Sequence, residues 1–214
     1  MDCCINGPEQ AALTLVLAHG AGAGMDTPFM EAFATGLGQK GWQVVRFEFA
    51  YMAARRSGGS KRPPPGQVTL LTEWQAALVT IQEKLKPRAL VIGGKSLGGR
   101  MASLIADNTA VAGLLCLGYP FHPPGRPERL RTAHLKDLAT ATLILQGSRD
   151  PLGSRKEVAA YALSSAIRLH WVEDGDHNLT PRKRSGRSRS ETWAEGIDAI
   201  DRFLEDLGQN WSKI

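Results

Sequence analysis

Residues 89–99 read Ala-Leu-Val-Ile-Gly-Gly-Lys-Ser-Leu-Gly-Gly, an apolar run leading directly into Gly-x-Ser-x-Gly with Ser96 at its centre. A serine hydroxyl attacks an acyl carbon only if it stands clear of the backbone, so the chain must turn sharply from strand to helix there, the arrangement known as a nucleophile elbow. Gly94 and Gly98 flank Ser96 at the two points where strand end and helix start pass so closely that a Cβ would clash. Downstream, Met101, Leu104 and Ile105 share one helical face over residues 100–108, while Gly98, Gly99 and Ala102 permit close helix-to-strand packing. The helix start also favours an anion forming beside the serine.

Two phosphate-binding readings compete and fail. Gly94-Lys95-Ser96 matches the end of a P-loop, but position 89 is Ala and the residues before Gly94 are strand-like. Gly20-Ala21-Gly22 begins a dinucleotide fingerprint whose last glycine is replaced by Met25, or by Thr27 in the next frame.

A serine of this kind needs a base and an acid to orient it, in the chain order Ser, Asp or Glu, His. The run 141–146 ends in Gly147-Ser148-Arg149-Asp150-Pro151, and the run 167–172 ends in Glu173-Asp174-Gly175-Asp176-His177-Asn178. Ligands of open α/β sheets bind outside the carboxyl ends of the strands, where Ser96, Asp150 and His177 are expected to converge. Of the five histidines, His19 belongs to a Gly-rich turn, His134 to a surface helix and His170 to the last strand. His122 follows Tyr119-Pro120-Phe121 and competes as base, but it precedes Asp150 and breaks the order. Asp174 and Asp176 compete as acid, but both lie too near His177 along the backbone to orient its ring easily. The oxyanion donors expected are the N–H of Leu97 and that of Ala21, with Gly22 close behind, in the loop His19-Gly20-Ala21-Gly22-Ala23-Gly24.

These segments resemble the small cap-less α/β-hydrolases of the dienelactone-hydrolase-like type, particularly a bacterial group with similar His-Gly-Ala-Gly-Ala and Gly-Gly-Lys-Ser-x-Gly-Gly-Arg segments. The resemblance runs from His19 through Phe47-Glu48-Phe49 and Tyr51-Met52 to Ser96, Gly118-Tyr119-Pro120-Phe121-His122, Asp150 and His177. It implies a Ser96, Asp150, His177 triad, with His122, Tyr119 and Met52 as substrate-lining residues. Strict dienelactone hydrolases use a cysteine nucleophile, so a lactone substrate does not carry over. Lys95 departs from the apolar or aromatic residue common before the nucleophile in related esterases; it reads as an ion-pair partner beneath the elbow, with substrate contact as the alternative.

Strand patterns at 13–18, 44–49, 89–93, 113–117, 142–146 and 167–172 alternate with helical stretches at 29–39, 68–85, 100–108, 154–164 and 190–207. That alternation predicts a doubly wound, mostly parallel sheet of about six strands with helices on both faces. The 214 residues form one expected α/β-hydrolase domain, 1–214. Only residues 118–141 offer space for a lid, so an open site is expected.

Cys3, Cys4 and Cys116 have no metal-ligand or disulfide spacing, and no signal peptide or spanning segment is evident, so a reduced, cytoplasmic protein without cofactor or metal is expected. The net charge of +5 is localised: Arg55, Arg56, Lys61 and Arg62 lie in one stretch and Arg182, Lys183, Arg184, Arg187 and Arg189 in another, leaving 17 basic residues against 21 acidic ones elsewhere. Both stretches follow strand ends, and both read as flexible solvated loops that would rim the site if they have a role. The rim would then draw in anionic substrates; nucleic-acid contact lacks interleaved aromatics, and no membrane partner is expected. The reading is a serine hydrolase cleaving a carboxylester or thioester of a small substrate. The alternative is a non-catalytic protein of the same fold that binds an acidic partner through its basic loops.

Overall fold

The computed structural model describes residues 2–211. Its strands are β1 (Cys3–Asn6), β2 (Thr14–Ala18), β3 (Gln43–Phe47), β4 (Leu90–Lys95), β5 (Gly113–Leu117), β6 (Thr142–Gly147) and β7 (Ile167–Val172). The α-helices are α1 (Pro28–Gln39), α2 (Ala50–Arg56), α3 (Gln67–Leu85), α4 (Leu97–Ser103), α5 (Arg155–Val158) and α6 (Arg189–Trp211). The strands form one seven-stranded sheet in the order β1-β3-β2-β4-β5-β6-β7. All neighbours are parallel except β1, which runs antiparallel to β3.

The central strands are apolar on both faces because both faces are covered. On β2, β4 and β5, Val16, Ile92 and Leu114 point into one core with Trp74, Leu78 and Ile81 of α3 and Met101 of α4. Leu15, Leu17, Val91, Leu115 and Leu117 point into the other, against Phe29, Met30 and Phe33 of α1 and Trp193, Ile200, Phe203 and Leu204 of α6. Period-two alternation in the strands and the i, i+3, i+4 spacing of α3 and α6 are thus two expressions of the same pair of interfaces.

Four elements depart from the sequence expectations. β1 brings the strand count to seven where about six were expected: its four residues are too few to show alternation, and pairing of Cys3 with Phe47 and Asn6 with Val44 defines it. α2 occupies the start of the first basic stretch, with Met52 its one buried residue. The helix expected over 154–164 is one turn: Ser154 and Glu157 make a capping box, but Val158 is its only buried residue, so no apolar stripe extends it. The helix after the elbow ends at Ser103, with a 3₁₀ turn at Ala106–Asn108 completing the predicted stretch. No lid element enters between β5 and β6; the connection holds a single 3₁₀ turn, Ala133–Lys136.

Strand order reverses at β2, whose end lies beside that of β4, with Ala18 opposite Gly94. A Cβ on Gly98 would lie 2.4 Å from Ala18 O and 2.8 Å from Ala18 Cβ. Gly98→Ala is therefore expected to lever α4 away from β2 at a cost of about 3 kcal/mol or more. Chemical denaturation measures this; a loss below about 1 kcal/mol would mean that the helix seats loosely.

Candidate active site

Ser96 follows the last residue of β4 and precedes α4, with φ 49° and ψ −108°. A non-glycine residue held at positive φ is strained and persists only where its surroundings enforce it. Here they do: Gly94, at φ 150°, leaves no room for a side chain, since a Cβ would lie 2.1 Å from Ala18 O. As first residue of α4, Leu97 has no intrahelical acceptor for its N–H, which donates to no described residue.

The loop after β2 is fixed at both ends. His19 is fully buried; its Nε2 accepts from Phe49 N at 3.2 Å, so the proton sits on Nδ1, which donates to Gly20 O at 2.6 Å. Burial lowers the pKa of this imidazole and keeps it neutral. Because the peptide is planar and trans, fixing the Gly20 carbonyl also fixes the opposite direction of the Ala21 N–H. Tyr51 Oη donates to Ala21 O at 3.0 Å and does the same for Gly22. At the far end Glu48 Oε1 accepts from Met25 N at 3.1 Å, while Arg46 Nη1 donates to Met25 O at 2.8 Å.

Asp150 and His177 come from the loops after neighbouring strands β6 and β7. Asp150 is fully buried, and its Oδ2 accepts from His177 Nδ1 at 2.7 Å. Its carboxylate also accepts from Gln146 Nε2 at 2.9 Å and from Leu152 N at 2.8 Å. Gln146 accepts in turn from Tyr119 N at 2.7 Å. Gln146 escaped the sequence reading because a polar residue at a strand end carries no motif of its own.

The His177 loop is pinned carbonyl by carbonyl. Lys95 Nζ donates to His177 O at 2.6 Å, and Trp193 Nε1 donates to Asn178 O at 2.9 Å. Asp176 Oδ1 accepts from Asn178 N and Thr180 N at 2.8 and 3.0 Å, which makes it a turn former. Asp174 is paired with Arg149 and Arg182. Neither aspartate hydrogen-bonds His177 in place of Asp150.

Ser96 and His177 face one cavity of about 520 Å³ bounded by the 20–24 loop, Phe29 and Met30 of α1, Lys95, Asn178, Arg189 and Trp193. Ser96 and His177 share this wall without a hydrogen bond between their side chains. Side chains expected to line it do not. Tyr119 is fully buried, its ring against Phe121 and its hydroxyl donating to Arg131 O at 2.9 Å. Buried His122 bonds Pro123 O through Nδ1 and has Nε2 3.5 Å from Glu157. Met52 is buried beneath α2, with Sδ 3.8 Å from Arg55 Nη1. All three follow strands, but their chain segments turn back into the core before reaching the cavity.

The basic stretches also differ from a simple cationic rim. Arg56 pairs with Glu48 and Asp26, Arg182 with Asp174, and Arg187 with Glu195. Of the nine residues only Arg189 lines the cavity. Sequence reading missed these partners because they lie outside the basic stretches, as distant as Asp26 from Arg56.

Lys95 is not the ion-pair partner expected beneath the elbow. It is 7 % exposed, and no carboxylate among the described residues lies within ion-pair distance. Burial pulls its pKa from 10.5 down to about 8, although Asp150 and Asp176 act in the opposite sense. Since the folded-state value is depressed, the folded protein binds fewer protons than the unfolded chain between about pH 8 and 10.5, and stability from this group rises with pH across that window. Lys95→Met is thus expected to be more stable than the parent at pH 7, by on the order of 1–3 kcal/mol, with the gap narrowing toward pH 10. Urea denaturation of both proteins at several pH values checks this; a pH-independent gap would contradict it.

Comparison with known proteins agrees with this fold. The chain resembles an alpha-beta serine hydrolase homologue from Coxiella burnetii, with 21% identity and a TM-score of 0.70 over 91% of this chain and 88% of that one. A serine hydrolase without lid from Xanthomonas campestris matches at 17% identity and TM-score 0.67, over 98% and 88% of the two chains. A dienelactone hydrolase from Anabaena variabilis matches at 17% identity and TM-score 0.69, over 95% and 90%. At these identities the likeness is one of fold. The alpha/beta hydrolase domain model matches residues 11–205, and the chain belongs to that family.

Proposed function

We propose that this α/β-hydrolase cleaves a carboxylester or thioester of a small substrate through an acyl-enzyme formed on Ser96. The observation that carries the reading is the buried Asp150 carboxylate 2.7 Å from His177 Nδ1, with His177 and the strained Ser96 on one cavity. Asp150 fixes the Nδ1–H tautomer and leaves Nε2 to take the Ser96 proton as Oγ attacks the acyl carbon. The hydrogen bonds from Gln146 and Leu152 keep Asp150 from rotating away. Charge developing on the carbonyl oxygen meets the N–H groups of Leu97 and Ala21, the second aimed by His19 before substrate arrives. Donors fixed in advance need no reorganisation during reaction. His177 then protonates the leaving group, water enters, and the same residues run the steps in reverse to release the acid.

The absence of a lid element between β5 and β6 supports a site open to small esters in solution. Among the described residues no helix is long and apolar enough to cross a membrane, and no group of three His, Cys, Asp or Glu side chains is placed to hold a metal.

Ser96→Ala is expected to lower hydrolysis of p-nitrophenyl esters by at least about 10³-fold with its thermal transition preserved. Asp150→Asn is expected to lower kcat by about 10²–10⁴-fold, whereas Asp174→Asn changes it far less. Steady-state kinetics of the three variants test this. Parent-like turnover in Ser96→Ala would exclude Ser96 as nucleophile, and a larger loss in Asp174→Asn would exclude Asp150 as the orienting acid.

A further inference from the structure

Every ionisable side chain on the wall of the Ser96 cavity is basic. Lys95, Arg189 and His177 line it, and no Asp or Glu does. Lys95 and Arg189 are joined by a ladder of rings. Lys95 Nζ lies 5.3 Å from the centre of the Phe29 ring, Phe29 meets Trp193 edge to face at 5.3 Å, and Arg189 Cζ lies 4.9 Å above the Trp193 ring.

Neither cation has a carboxylate at ion-pair distance among the described residues. The Lys95 ammonium has three N–H groups and makes one hydrogen bond, to His177 O. Its neighbour across the strand pair, Leu117, belongs to the core beneath α1 and α6, where burying an ammonium without an opposite charge is costly. Arg189 forms no ion pair among the described residues and stands at the first position of α6, where the helix dipole disfavours a cation. Ser188 and Glu191 already cap that end.

We propose that the substrate carries a carboxylate on its acyl half and that Lys95 and Arg189 are the specificity-determining residues that read it. The proposal rests on Ser96 being the acylated residue. The acyl half is the part that stays tethered in this cavity through both half-reactions, so it is the part the cations can hold while the alcohol or thiol departs. Between them Phe29, Met30 and Trp193 offer an apolar surface to a short methylene chain, and the ammonium and guanidinium supply N–H groups for its charged end. A carboxylate would complete the hydrogen bonding of Lys95 and neutralise a charge that the core leaves unpaired.

The test compares two p-nitrophenyl esters of matched length, the glutarate half-ester and the valerate. At pH 7 and low salt, kcat/KM for the half-ester should exceed that for the valerate by at least about tenfold, mainly through KM, and the excess should shrink at about 0.5 M salt. Arg189→Ala and Lys95→Met should each lower this ratio several-fold, Arg189→Lys should retain part of it, and Arg189→Glu should bring it to unity or below. Equal rates for both esters in the parent, or an unchanged ratio in Arg189→Glu, would overturn the proposal.

A second measurement does not depend on turnover. Calorimetry on Ser96→Ala should detect glutarate binding, weakened by added Arg189→Glu, with inorganic phosphate competing poorly. If glutarate binds while neither ester is hydrolysed by the parent, the hydrolase reading fails and the carboxylate site stands. If the valerate is hydrolysed while glutarate does not bind, the carboxylate site fails alone. Phosphate binding as tightly as glutarate would overturn the choice of carboxylate.

Discussion

The backbone carbonyl of Ala18, at the end of β2, is the point on which the rest of the site depends. Both the strand entering the elbow and the helix leaving it press against this one group, and a side chain on Gly94 or Gly98 would lie 2.1 or 2.4 Å from it. That contact sets β4 and α4 so close to β2 that Ser96 has only a strained conformation available. It also places the chain that follows Ala18, beginning with His19 and Gly20, directly beside the serine: a Cβ on Gly20 would lie 3.8 Å from Ser96 Cβ. The proposed nucleophile and its expected oxyanion donors therefore come from one packing constraint. The serine is raised by strain, and the loop is aimed by the hydrogen bonds of His19 and Tyr51.

On the other side of the cavity the constraint is hydrogen bonding. The loop after β7 carries His177 and includes Leu179 at φ 59° with its side chain fully buried, a second strained residue close to the chemistry. Lys95, Trp193 and Asp176 hold the consecutive peptide groups of that loop, and Asp150 holds the imidazole. Lys95 and Trp193 thus serve the histidine loop from beneath and also form part of the cavity wall. A buried ammonium here lowers stability, a cost that is sensible if its charge is used.

How much of this was legible in the sequence depended on how local the cause was. The sharp strand-to-helix turn at Ser96 was readable because Gly94, Ser96 and Gly98 are spaced by a steric requirement within five residues. Asp150 and His177 were readable because parallel sheets bring strand ends together, and the two-sided burial of β2, β4 and β5 shows as unbroken apolar runs. β1 was not readable, since four residues define a strand only once β3 provides the partner. The lining assigned to Tyr119, His122 and Met52 was misplaced because following a strand end fixes where a segment starts and not which way it turns. Phe29, Trp193 and Arg189 had no signal at all: they reach the cavity from α1 and α6, whose approach is set by the far core. The charge balance of the basic stretches was equally hidden, since Asp26, Glu48, Asp174 and Glu195 lie outside them.

The central claim is that the strain at Ser96 and the imidazole held by Asp150 together make one serine nucleophilic. The most direct measurement is reaction of the native protein with a fluorophosphonate, followed by peptide mass mapping of the adduct. The account predicts a single phosphonyl group per chain, carried by Ser96, and none in protein unfolded before exposure. An unmodified protein, or an adduct on any other serine, would contradict it.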